Sequence, residues 1–234
     1  MLGVGRRSPI AEKQDLATIF QAADACCRQS AECGRDRILG FGDGLFVFNE
    51  LVSQIIALSR LQAADPAGDA RTVVVADVVA AAVARTRERA EASGISVSSS
   101  VQPGLTLHGD AEQLETALTN LVQNAIAYSE RDARVAVSAQ ETVGEVELRV
   151  SDTGIGISEA DQKRIFERFY RVDADRSRAS GGTGLGLSIV KHIASAHGGD
   201  VSVWSRPGQG STFTLRLPVQ SAAGDPAERE EVSR

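Results

Sequence analysis

Asn120 and Asn124 stand four residues apart in a stretch from Asp110 to Tyr128. There Leu114, Ala117, Leu118, Leu121 and Ala125 recur at helical spacing. Residues four apart lie one above the other, so two carboxamides share a face beside the apolar stripe. Two amide oxygens at that spacing can help hold Mg²⁺, an ion that takes few protein oxygens along with waters and phosphates. Tyr128, one turn on, offers a flat surface to a base. By themselves the asparagines read more readily as solvated polar positions.

A second constellation follows a strand pattern. Val146, Leu148 and Val150 alternate toward one face, and Asp152 keeps their parity. A carboxylate on the apolar side needs a donor partner, because a bare buried charge is costly. The exocyclic amine of a purine is such a donor. Gly154 and Gly156 then let the backbone approach a ligand, although an Asp-Gly turn at a strand end is also common without one. A third cluster, Gly181-Gly182-Thr183-Gly184-Leu185-Gly186-Leu187, opens a helix, where backbone N–H groups suit phosphate. It lacks the Gly-Lys-Ser/Thr ending of a Walker loop. It also lacks the preceding strand of a dinucleotide fingerprint. The polar stretch before it reads as a lid, and its Arg171, Arg176 and Arg178 can meet phosphate charge or simply form a solvated basic loop.

Elements must set these groups in place. The pattern predicts a β-branched run over Thr72–Ala76 and a helix capped by Asp77 that ends at Ser93-Gly94. It predicts strands over Ile95–Val101 and around Leu105 and Leu107, then the Asp110-capped helix. Strands Val135–Ala139 and Val146–Val150 pair, a helix runs from Leu185 to His197, and Val201–Trp204 and Thr212–Leu217 form a hairpin. The expected fold class is α+β: a two-layer sandwich of a mixed, mostly antiparallel sheet with helices on one face. Four regions are expected: an atypical segment over 1–43, a helix over 44–64, the main domain over 70–218, and a polar tail over 219–234.

The chain has 234 residues and a net charge of −6, which gives no field favouring a nucleic-acid backbone. No apolar run reaches membrane-spanning length and no secretory signal opens the sequence, so the expected location is the cytoplasm. Cys26, Cys27 and Cys33 have no nearby His and read as reduced thiols.

Taken in order, Asn120–Ala125, Asp152–Gly156, Phe166–Tyr170, Gly182–Leu187 and Gly210–Phe213 resemble the N, G1, F, G2 and final glycine boxes of sensor histidine kinases. The wider group includes gyrase-type, MutL-type and heat-shock chaperone ATPases, and the Phe166–Tyr170 segment favours the kinase branch. Leu58–Gln62 and Val203–Gly208 further resemble actinobacterial phosphate-sensing kinases. The resemblance covers about residues 71–218. It implies ATP and Mg²⁺ as cofactors, with Asn124 and Asn120 as metal-binding residues. It also implies that Asp152 reads adenine, Tyr128 lines the base and Arg171 approaches the terminal phosphate. Gly154, Gly156, Gly182, Thr183, Gly184, Leu185, Gly186 and Thr212 complete the implied ATP-binding set, and Phe166 and Phe169 anchor the lid edge. One departure is Ala127, where many members carry Lys or Arg directed at the phosphates. Its loss is expected to weaken nucleotide binding.

The family's phospho-acceptor is a His-Glu pair near a Pro. Here His108, His192 and His197 are the only histidines, none is followed by Glu, and all read as structural or surface residues. The expectation is an altered or replaced amino-terminal part. Three functions follow: transfer of the ATP γ-phosphate to a histidine in trans, a nucleotide-binding regulatory module, or a serine kinase of the anti-sigma type. The expected partners are a response regulator and a separate histidine-bearing dimerisation domain.

Overall fold

The computed structural model describes residues 70–172 and 183–219. The segments expected over 1–43 and 44–64 lie outside the described residues, as does the tail from 220. Val219, placed in that tail from the sequence, instead donates its N–H to Gly144 O at 3.0 Å.

The elements run in order β1 (Arg71–Val74), α1 (Val75–Ser93), β2 (Ser96–Val101), β3 (Thr106–Gly109), α2 (Ala111–Ala127), β4 (Arg134–Thr142), β5 (Glu145–Asp152), α3 (Glu159–Gln162), α4 (Gly186–Ala196), β6 (Asp200–Arg206) and β7 (Gly210–Pro218). A five-stranded sheet has the order β2-β4-β5-β7-β6, and β1 pairs with β3 in a separate two-stranded sheet. Only β2 and β4 run parallel among the five-stranded pairs; β4–β5, β5–β7 and β6–β7 are antiparallel. The expected α+β sandwich is therefore the observed one.

Strand alternation sets the layers. Val135 and Val137, Leu148 and Val150, and Phe213 and Leu215 are buried on one sheet face. They meet Leu114, Leu118, Leu121 and Val122 of α2 and Ile189 and Ile193 of α4 in a single core cluster. Asp77 corrects an expectation. It lies in the first turn of α1, while Val74 occupies the N-cap without a side-chain bond. The β-branched run passes directly from strand to helix, so the chain enters α1 without a polar cap.

Asp110 does cap α2. Its Oδ1 accepts from the N–H groups of Glu112 at 2.9 Å and Gln113 at 3.1 Å. His197, at the end of α4, fastens the same corner. Its Nε2 accepts the Asp110 N–H at 3.1 Å, so Nδ1 carries the proton donated to Ile193 O at 2.8 Å. The residue is structural, as its sequence setting suggested. Replacing Asp110 by Ala is expected to cost about 1 kcal/mol of stability, the usual loss for a polar N-cap, measured by thermal or urea denaturation.

The opposite sheet face is tied by an ion triad. The buried Glu147 of β5 bonds Arg149 and accepts from Arg216 Nε of β7 at 2.9 Å; Arg216 Nη1 reaches Ser202 Oγ of β6 at 3.1 Å. Burial opposes the Glu147 charge, but the two guanidinium groups outweigh it and hold the carboxyl below its ordinary value of 4.5. The stabilisation is thus complete above 4.5 and is lost as pH falls through the depressed folded value. Glu147→Gln is expected to flatten the acid limb of the stability–pH curve, read from melting temperatures between neutral pH and pH 3.

Candidate nucleotide-binding site

Four chain segments meet at one end of the sheet. Asp152, the last residue of β5, keeps the parity of Val146, Leu148 and Val150 and so faces the helical layer. Its Oδ1 accepts from Gly154 N at 2.8 Å and from Ser211 N at 3.2 Å. Among the described residues no protein donor meets Oδ2. Burial raises the carboxyl above its ordinary 3.8, and the two N–H bonds offset only part of that rise. The group is a desolvated acceptor with one oxygen fixed by backbone and the other open.

The turn after Asp152 is pinned to its surroundings. Ile155 N donates to Tyr128 O at 3.1 Å, and Ile155 O accepts from Gly208 N at 2.7 Å. This sets the C-cap of α2 beside the Asp-Gly turn and sets the β6–β7 hairpin on its other side. A Cβ on Gly156 would stand 2.0 Å from Arg206 O, so the turn and hairpin pack backbone to backbone there. Tyr128 is half-buried, with its carbonyl directed at the turn. Ser129, the next residue, carries a buried hydroxyl without a hydrogen-bond partner among the described residues.

The Asn120 carboxamide of α2 faces the start of α4. Asn120 Nδ2 donates to Thr116 O at 2.8 Å, which fixes the amide orientation. Its Oδ1 then points at Gly186, where an added Cβ would come within 2.8 Å of it. No hydrogen bond holds the Asn124 carboxamide among the described residues. Asn120 Oδ1 is oriented beside the helix start that follows the glycine cluster, and the uncommitted Asn124 carboxamide lies one turn further along α2. This donor set fits Mg²⁺ bound through few protein oxygens.

The glycine cluster is partly described. Gly182, Arg176 and Arg178 lie outside the described residues. Thr183 Oγ1 accepts from Leu185 N at 3.3 Å, and Leu185 is buried at the N-cap of α4. Gly184 O accepts from Phe169 N at 2.9 Å, so the Phe166–Tyr170 segment is fastened to the glycine segment. Phe166 packs edge-on against Phe213 of the core, with ring centroids 6.4 Å apart. Tyr170 Oη donates to Asp161 Oδ1 at 2.7 Å, and the Arg164 guanidinium lies 4.2 Å from the Tyr170 ring centroid. Arg171 follows directly, half-buried.

Among the described candidates, Thr212 points away from Asp152 and its neighbours. It pairs with Ser151 on the outer sheet face, Oγ to Oγ1 at 2.9 Å. The residue beside Asp152 is Ser211, opposite it in register. The period-two pattern carries the needed signal: Phe213 points into the core, so Ser211 points in and Thr212 points out.

Comparison with known proteins places these features in a family. The model for "Histidine kinase-, DNA gyrase B-, and HSP90-like ATPase" matches residues 109–221. The sensor-like histidine kinase SenX3 of Mycolicibacterium smegmatis is 48% identical over 169 residues, which are 72% of this chain and 44% of that protein. The chain therefore spans less than half of this relative. The mycobacterial sensor histidine kinase MprB structure superposes with a TM-score of 0.56 at 30% identity, over 64% of this chain and 97% of that one. Full-length ShkA in complex with AMPPNP gives a TM-score of 0.65 at 31% identity, over 78% of this chain and 37% of that one.

Proposed function

Because the chain belongs to the histidine kinase-, DNA gyrase B- and HSP90-like ATPase family, on its sensor histidine kinase branch, we propose that it binds ATP with Mg²⁺ in the cytoplasm and donates the γ-phosphoryl group in two-component signalling. The observation that carries this reading is Asp152: a carboxylate on the inner sheet face, with Oδ1 fixed by two backbone N–H groups and Oδ2 open. Oδ2 accepts from the exocyclic amine of adenine, and Tyr128 lines the base. Asn124 and Asn120 would hold Mg²⁺, whose chemistry is to neutralise charge on the phosphate oxygens. The backbone around Thr183–Gly186 cradles the phosphates, and Arg171 approaches the terminal one. A histidine nitrogen supplied by a partner chain attacks the γ-phosphorus, the bond to the β-phosphate oxygen breaks, and ADP leaves. The protein's part is positioning and charge compensation. A response regulator then takes the phosphoryl group from that histidine.

A second reading rests on the histidines. None of the three is followed by Glu, and His197 has both ring nitrogens engaged in the fold. A nucleotide site whose neighbouring histidines serve the fold also suits a regulatory nucleotide-binding module. Incubation with radiolabelled ATP, alone and with a separate histidine-bearing dimerisation domain, distinguishes the two. Label on the partner and none on this chain supports the kinase. ATP binding with no transfer to any partner supports the module, and a chain that binds no ATP contradicts both.

A further inference from the structure

A polar row closes the apolar sheet face at its pocket end. Register places Ser211 of β7 opposite Asp152 of β5, and Ser205 of β6 opposite Ser211, so the three side chains share one face. Ser205 and Ser211 are both buried. Ser205 Oγ donates to Gly210 O at 2.8 Å and accepts from Ile157 N at 2.8 Å. Its single proton is committed to Gly210, so Ser211 is the donor in the 3.0 Å contact between the two hydroxyls. Gln162 of α3 supplies a second tie: its Nε2 donates to Ile157 O at 2.9 Å and to Ser205 O at 3.0 Å.

The hydroxyl of Ser205 thus joins the glycine turn, the start of β7 and Ser211. Ser211 in turn holds Asp152 Oδ1 through its backbone N–H. We infer that Ser205, supported by Gln162, is a positioning residue for base selectivity: it keeps the Ser211 N–H on Oδ1 so that Oδ2 alone is presented to the exocyclic amine. This rests on the reading of Asp152 as the adenine acceptor. Without the Ser205 hydroxyl, Ile157 N–H and Gly210 O lose a buried partner, and the turn and hairpin lose one of the ties that hold them together, the Gly208 N to Ile155 O bond remaining. Hydrogen bonds weaken steeply with misalignment, so the loss falls on the amine contact. The phosphates are held by other elements and are spared.

The test compares dissociation constants of the full chain for ATP and for purine riboside 5′-triphosphate, which differs only in lacking the 6-amino group. The wild type prefers ATP. Ser205→Ala is expected to reduce that preference about tenfold, the scale of one misaligned hydrogen bond to a charged group, and to leave analogue affinity within about twofold. Ser205→Thr, which keeps the hydroxyl, retains the preference. Gln162→Met removes the second tie, shifts the ratio in the same direction, and decides the matter if Ser205→Ala fails to fold. Equal losses for both ligands would mean a plain structural staple and would overturn the proposal, as would an unchanged ratio. Asp152→Asn separates the two levels: if it leaves the preference intact, the adenine reading itself fails.

Discussion

Asp152→Asn is expected to weaken ATP binding by about 10- to 100-fold, the cost of about 1.5–3 kcal/mol for losing a hydrogen bond to a charged acceptor. The substitution keeps the shape and one carbonyl oxygen, which can still accept from Gly154 N and Ser211 N. It places an NH₂ where Oδ2 stood, so a donor then faces the donor amine of the base. The fold should not suffer. Burial raises the Asp152 carboxyl above its ordinary 3.8, so its stabilising contribution is full below 3.8 and lost as pH rises through the raised folded value. At neutral pH the ionised group is a net cost that Asn does not carry. The melting temperature of the variant without nucleotide should therefore equal or exceed that of the wild type. The same shift predicts that wild-type ATP affinity declines on the acid side from a pH above the ordinary aspartate range, as Oδ2 takes up a proton. Calorimetric titration across pH checks both statements. A variant that loses binding only because it is unfolded would contradict the first.

Gly210→Ala is expected to be more damaging to the whole domain, at about 3 kcal/mol or more. Gly210 has φ +96, a conformation that L side chains rarely adopt, and a Cβ there would stand 2.0 Å from Asp152 O. The backbone strain alone costs about 1–2 kcal/mol, and forcing apart a packed contact adds about 1–3 kcal/mol. The clash lies on the carbonyl of Asp152, the proposed adenine acceptor, and Gly210 O is also the acceptor for Ser205. Stability and ATP affinity should fall together, unlike in Asp152→Asn. Urea denaturation with and without ATP measures both. Gly208→Ala in the same hairpin is a useful contrast: it shares a positive φ, +76, but an added Cβ meets nothing within 4 Å. It should cost only the strain.

Local signals carried most of the fold. The Asp110 cap and the apolar stripe of α2 appear in sequence because both are contacts between near neighbours along the chain. The inward aim of Asp152 was legible from strand parity alone. Thr212 lies on the outer face because the glycine box is a strand with two faces, which a linear motif does not distinguish. Propensity favours Asp77 as a cap, whereas tertiary packing carries β1 straight into α1. The polar row could not be read at all. Ser205 and Ile157 are 48 residues apart and Gln162 and Ser205 are 43 apart, and nothing in the local pattern of any of them points to the others. The link from Asp110 to His197, 87 residues away, was hidden for the same reason. What the sequence alone resolves is which residues can do chemistry. Which of them share a face and hold one another in place depends on register.

The proposal stands on Asp152, the α2 asparagines and the segment before α4 forming one adenine-nucleotide pocket. Isothermal titration of the full chain with ATP and with GTP, each with Mg²⁺, tests it most directly. ATP is expected to bind saturably and one-to-one, and GTP at least about tenfold more weakly, because GTP presents a carbonyl oxygen to the open oxygen of Asp152. Equal affinity for the two nucleotides, or no ATP binding at millimolar concentration, would contradict it.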